Sequence, residues 1–167
     1  MKGFTLIELI IVIILISILA GLGIGLLSGT DGFAPRVAMD QLLHSLRLGQ
    51  RSALLKQNSS ELLNVTISQA SDSWNVSVNF DGTELNSFDI DRNRVSMSGS
   101  TSDFSTSCEA LPLITFPVTF YLDGYGNHVS SARVQQNTNQ RLCFLGDDSV
   151  ELCIGPSGYA YAGACEP

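Results

Sequence analysis

Residues 9–30 carry no charge, and the carboxylate at the mouth of that apolar run is Glu8, in Lys2-Gly3-Phe4-Thr5-Leu6-Ile7-Glu8. An ionised carboxylate near hydrocarbon costs on the order of 2.5–3.5 kcal/mol at mid-bilayer on insertion scales. A segment that served only as an anchor would have no use for it. The spacing therefore asks for a positive group that compensates Glu8.

The second set of reactive side chains is Cys108, Cys143, Cys153 and Cys165, all within the last 60 residues. Four cysteines allow three pairings. Leu142-Cys143-Phe144 and Leu152-Cys153-Ile154 flank Gly146-Asp147-Asp148-Ser149 as the arms of a hairpin would, which sets Cys143 nearly opposite Cys153. The expectation is Cys143 with Cys153, leaving Cys108 with Cys165. Zinc is the competing reading, but no two cysteines form a C-x-x-C pair and neither His44 nor His128 is near one in sequence, so disulfides are favoured and no metal is assigned.

The remaining candidates for chemistry are thin. His44 and His128 are the two histidines, and there is no G-x-S-x-G elbow, H-E-x-x-H pair or phosphate-binding loop around them. Asp89-Ile90-Asp91-Arg92-Asn93 begins like a calcium loop, but its sixth position is Arg94 instead of glycine and its twelfth is Ser100 instead of glutamate. A strand edge or solvated turn suits it better, and Asp147-Asp148 reads as a tight acidic turn. Gly21, Gly23 and Gly25 lie inside an apolar span with no strand before them, unlike a dinucleotide fingerprint. Trp74, followed by alternating Val76, Val78 and Phe80, reads as core. No catalysis and no cofactor are expected.

The elements that position these groups divide by hydropathy. Phe4 to Leu27 is 24 residues, about 36 Å as a helix against about 30 Å of hydrocarbon. Lys2 on one side and Asp31 on the other place the N-terminus in the cytoplasm and the bulk of the chain outside, where cysteines can oxidise. Only Met1, Lys2 and Gly3 precede the run, and Ile18 is too bulky for a small-x-small cleavage site ending at Ala20, so the helix is expected to stay attached. The formal net charge of -7 argues against a general affinity for nucleic acid.

After the glycines and Pro35, helical spacing resumes through Met39, Leu42, Leu43, Leu46, Gln50, Ala53 and Leu54, with Arg36, Arg47, Arg51 and Lys56 largely off that face. From Glu61 on, short β-type runs take over: 62–67, 74–80, 88–97, 113–122, 129–134, 142–145, 150–154 and 159–162, separated by turn residues such as Asp81-Gly82 and Asp123-Gly124. Ser98 to Ser107 is low in complexity and reads as an exposed loop tied down at Cys108. The fold class is α+β, a long N-terminal helix packed on a mainly antiparallel sheet.

Gly3-Phe4-Thr5-Leu6-Ile7-Glu8 followed by an unbroken apolar helix resembles the type IV pilin and pseudopilin signature. The resemblance implies cleavage between Gly3 and Phe4 by a prepilin peptidase, N-methylation of Phe4, and pairing of Glu8 with the Phe4 amine of an adjacent subunit. An α-amino group has a pKa of about 7.7–8, and methylation leaves it chargeable. The implied organisation is a leader at 1–3, a transmembrane and filament-core helix at 4–30, an amphipathic continuation at 31–58, and a periplasmic β-rich domain at 59–167. Leu46-Arg47-Leu48-Gly49-Gln50-Arg51-Ser52-Ala53, the run ending at Trp74, Ile114-Thr115-Phe116 and Leu122-Asp123-Gly124-Tyr125-Gly126 resemble H-type pseudopilins and FimT-like minor pilins, with the mannose-sensitive haemagglutinin type of pilus as one host system.

The resemblance implies a minor pilin that assists initiation or assembly of a type IV pilus. Its partners would be other pilin subunits, the prepilin peptidase and the inner-membrane assembly platform. It would sit as a single-pass protein of the bacterial inner membrane and then in the filament. A minor pseudopilin of a type II secretion system is the alternative within that class. A membrane-anchored periplasmic enzyme or binding protein is the alternative outside it, and a DNA-uptake pilin is disfavoured by the acidic C-terminal part.

Overall fold

The structure, a computed structural model, describes residues 6–27, 33–57, 59–92 and 94–166, with the backbone alone described over 19–27. Residues 1–32 and 33–167 form two compact units, and each is taken by itself.

In the first unit, α1 spans Leu6–Leu27, 22 residues or about 33 Å at 1.5 Å per residue. Leu, Ile and Val fill it with no polar stripe, so no face is marked for burial. Its described side chains end at Ile18, and among the described residues no helix is long and apolar enough to cross a membrane. The crossing expected for 4–30 therefore rests on the sequence.

The second unit opens with α2, Ala34–Leu55. Pro35 sits in its first turn, where a missing N–H costs nothing and a fixed φ suits the helix. Ala38, Met39, Leu42, Leu43, Leu46, Gly49 and Ala53 recur at three and four and are buried. Two residues expected on that face fall elsewhere: Leu54 is exposed, and Gln50 is half-buried and donates from Nε2 to the Ser157 carbonyl at 2.9 Å. Gly49 has a packing reason, since a Cβ there would stand 2.7 Å from Val65 Cγ2; the helix approaches its sheet more closely than alanine would allow.

Among the described residues nine strands follow: β1 Leu63–Gln69, β2 Ser73–Phe80, β3 Thr83–Asp91, β4 Ser96–Ser100, β5 Val118–Leu122, β6 His128–Val129, β7 Gln140–Leu145, β8 Ser149–Ile154 and β9 Ala160–Ala162. They form two antiparallel sheets, ordered β3-β2-β1-β5-β6 and β4-β7-β8-β9. α2 packs on strands of both. Alternation is clean where one face meets the core: Leu63, Val65 and Ile67 on β1 and Trp74, Val76 and Val78 on β2 are buried, as period-two side chains require. Trp74 joins the sheets, stacked on Phe116 at 6.2 Å and edge-on to Phe144 of β7 at 6.1 Å. It is a core residue, as its pattern suggests.

Three expected runs are corrected. The run 88–97 is two strands in different sheets: β3 ends at Asp91 and β4 begins at Ser96, and Val95 donates to the Arg92 carbonyl in the turn between them. The run 113–122 contributes a strand only from Val118; ahead of it Leu113 makes an isolated bridge with Ser98, and Pro117, which has no N–H for a ladder, follows a cis peptide bond after Phe116. The run 129–134 is mostly loop: β6 ends at Val129, and Arg133 has a φ of 64° in a turn where its N–H reaches the Ser130 carbonyl. The domain expected to be mainly antiparallel holds two antiparallel sheets among the described residues, with α2 packed on strands of both.

Candidate functional site

Of the residues singled out for processing and assembly, Glu8 lies at the start of α1. Gly3 and Phe4 are outside the described residues. Glu8 stands in the first turn of α1 and is exposed. A carboxylate in a first turn gains about 0.3–1 kcal/mol from the unpaired N–H groups there, too little to offset the cost of hydrocarbon. Beyond Glu8, Ser17 is the next polar side chain, and its hydroxyl is spent within the helix, donating to the Ile13 carbonyl at 2.7 Å.

Around it eleven large apolar side chains between Leu6 and Ile18 are exposed, from Ile10 at 40% to Leu6 at 76%. Each is worth about 1.5–3 kcal/mol on full burial. Summed over the helix, that drive exceeds the cost of carrying Glu8 into an apolar setting several times over. Such a helix is built to be surrounded on all sides.

The cysteines form two disulfides, Cys108–Cys143 and Cys153–Cys165, which replaces the expected Cys143–Cys153 and Cys108–Cys165. The hairpin of β7 and β8 forms as anticipated, but its register sets Cys143 opposite Glu151 and Cys153 opposite Arg141. The two cysteines are diagonal neighbours on one face. The short 3-10 turn Cys108–Ala110 brings Cys108 to within a Cα separation of 5.7 Å of Cys143, and the chain after β9 returns Cys165 to 5.2 Å from Cys153.

Beside the first disulfide is a network that no local motif announces. The buried Arg141 guanidinium donates from Nε to Glu151 Oε2 at 3.1 Å, from Nη2 to Glu151 Oε1 at 2.6 Å, and from Nη1 to the Thr106 carbonyl at 2.6 Å. A forked pair of this kind is among the stronger polar contacts. The one signal in the residues is an arginine and a glutamate on opposite arms of the predicted hairpin; only the register brings them together. Cys108, Cys143 and Glu151 also cluster within metal-ligand distance. Bonded sulfurs are not thiolates, however, and the carboxylate is held by Arg141, so the donor set does not suit a cation.

Arg141 also anchors the Ser/Thr-rich loop, which is ordered by Asp103. Its carboxylate accepts from the Ser105 and Thr106 N–H groups at 3.1 and 3.0 Å and from Thr106 Oγ1 at 2.5 Å. These bonds, those from Thr106 first, lower the Asp103 pKa from its ordinary 3.8 to about 2. Residues 101–107 are exposed in part, as expected, and internally braced as well, but Ser98–Ser100 belong to β4 and Ser98 is buried, its hydroxyl donating to the Cys108 carbonyl at 2.9 Å.

The histidines do not converge. His44 is exposed on α2. His128 is buried on β6 beside the Phe120 ring, its Nδ1 has no hydrogen-bond partner among the described residues, and burial lowers its pKa. No described serine is paired with that nitrogen. Asp89 and Asp91 lie on β3 with the buried Ile90 between them, a strand edge instead of a loop; Asn93 lies outside the described residues. Asp148 belongs to the β7–β8 turn, where its carbonyl accepts from the Gly146 N–H.

Comparison with known proteins bears on the N-terminus alone. No curated protein and no solved structure matches the chain. Residues 1–24 match the family model described as the prokaryotic N-terminal methylation motif, which covers Gly3, Phe4, Glu8 and most of α1, and so supports a type IV pilin-like subunit processed at its N-terminus.

Proposed function

We propose that this chain is a minor pilin, a structural subunit that assists initiation or assembly of a type IV pilus and carries out no catalysis. The supporting observation is a helix exposed and apolar on every described side, with one carboxylate in its first turn, inside an N-terminal methylation motif. Prepilin peptidase removes residues 1–3 and the new amine of Phe4 is methylated. The subunit rests in the inner membrane through residues 4–30 with its C-terminal domain in the periplasm, and moves at the assembly platform into a filament whose core is built of such helices.

Within the filament Glu8 pairs with the methylated Phe4 amine of an adjacent subunit, and the pair sets the axial register of each incoming helix. Loss of one member of a buried ion pair costs about 3–5 kcal/mol, a factor of hundreds or more in the equilibrium for incorporation. Mass analysis of the mature N-terminus is expected to find N-methylphenylalanine at Phe4; an unmethylated Met1 in the mature chain would defeat this reading. Glu8→Ala is expected to leave the subunit in the membrane fraction and out of sheared filaments. Loss of protein export with intact pili after deletion of the subunit would assign it to a type II secretion pseudopilus instead.

A further inference from the structure

β3 is the outermost strand of the five-stranded sheet and is hydrogen-bonded on one side to β2. Residues 83–87 and 89 are exposed, Phe88 is half-buried and Ile90 is buried. An open strand edge is a template for another strand, and proteins usually guard it with charged side chains, lysine above all, or with proline, short length or a bulge. β3 has nine residues, neither proline nor lysine, and charges that are all negative, Glu84, Asp89 and Asp91. Its register shift lies opposite Val78 and Asn79, which leaves the stretch from Asn86 to Asp91 regular.

Alongside that stretch runs an open groove of ≈ 560 Å³ between the strand and α2. Val37 and Phe88 give it an apolar floor, with Gln41 and Asn86 beside them. Its charged lining from the helix is Asp40, and no described lysine or arginine lines it; His44 completes the wall. Asp89 alternates with Phe88 and turns its carboxylate to the opposite face of the sheet, where Asn75 donates from Nδ2 to Oδ1 at 3.1 Å. A helix and a free strand flanking a groove offer backbone pairing on one side and side-chain contacts on the other, the two ingredients of recognition by strand addition.

We propose that this groove receives an extended segment of a partner protein that adds to β3 as a further strand, with alternating apolar and basic side chains. The apolar ones face the groove and meet Val37 and Phe88, and a lysine or arginine on the other face of the sheet meets Asp89. Alternation follows from the two-residue period of a strand, and the sign of the partner follows from the acidic side chains of β3. This docking does not depend on the filament reading of α1.

The test uses the full chain in detergent micelles with a synthetic peptide of alternating valine and lysine as probe. Saturable binding is expected to slow amide exchange over residues 83–91. N-methylation of alternate peptide nitrogens is expected to weaken binding at least about tenfold, replacement of lysine by glutamate likewise, and Asp89→Asn by about threefold. Asp89 is exposed, so the variant should fold, which its thermal transition verifies. Equal binding of the N-methylated peptide, protection elsewhere, or no binding overturns the proposal. Self-association that protects residues 83–91 without peptide assigns the edge to a second copy and also overturns it.

Discussion

α1 and the unit from Phe33 onward resolve the same problem, where to put apolar side chains, in opposite ways. In the second unit Trp74, Phe120, Phe144, Leu142 and Leu152 are essentially inaccessible to water, because two sheets and α2 enclose them. In α1 the apolar side chains from Leu6 to Ile18 are exposed, and no polar stripe marks an outside. The first arrangement is a core; the second, on the proposed function, is half of an interface. On that reading stability and function are separable in this chain: one unit folds around itself, and the other gains its free energy from its surroundings.

Truncating one large side chain in each unit tests that contrast most severely. Phe144→Ala is expected to lower the stability of the domain by about 3–5 kcal/mol, read as a shifted denaturant midpoint. Ile13→Ala should change that midpoint by less than about 0.5 kcal/mol while weakening retention in membranes or filaments. An equal shift from Ile13→Ala would show that the units are coupled.

Next in size are the disulfides, which restrain only the second unit. Their sequence separations are 35 and 12 residues, so chain-entropy reasoning gives about 4 kcal/mol for Cys108–Cys143 and about 3 for Cys153–Cys165. Paired Cys→Ser variants followed by chemical unfolding should rank in that order. Peptide mapping without reduction should recover these two pairings; recovery of a Cys143–Cys153 peptide would overturn the register argument.

Arg141→Met removes the partner of Glu151 and the donor to Thr106. Breaking a buried pair costs about 3–5 kcal/mol, and the 24% exposure of the Glu151 side chain places the expected loss at the lower end, about 3. Arg141→Met with Glu151→Leu should recover part of it, since no uncompensated charge remains.

The smallest effect is local. Asp103 has its pKa depressed in the fold, so its contribution is complete above about pH 4 and is lost as pH falls through about 2. Amide exchange of Ser105 and Thr106 is expected to quicken across that window beyond the general trend, and Asp103→Ala should remove the pH dependence.

Much of the fold is legible in the residues themselves. Glu8 at the head of a charge-free run, the helical spacing of Met39 to Leu46, the alternation through β1 and β2 and the β7–β8 hairpin are local patterns, and the described residues carry each of them. The differences share one cause. Residues 88–97 read as one strand because local pattern carries no record of which sheet a strand joins. Leu54 reads as core because a spacing rule finds a helix face without knowing where the neighbouring strands stop. Cys143 reads as the match of Cys153 because a hairpin is visible in sequence but its register is not.

That an apolar segment with one carboxylate precedes a cysteine-containing β-rich domain is settled by the amino-acid order, since hydropathy and charge belong to the residues alone. Which cysteines meet, the clasp of Arg141 by Glu151 and Thr106, and the position of β3 at an edge beside a groove are settled by tertiary packing. Those depend on strand order and register, which are set by the competition of many distant contacts for one buried interior.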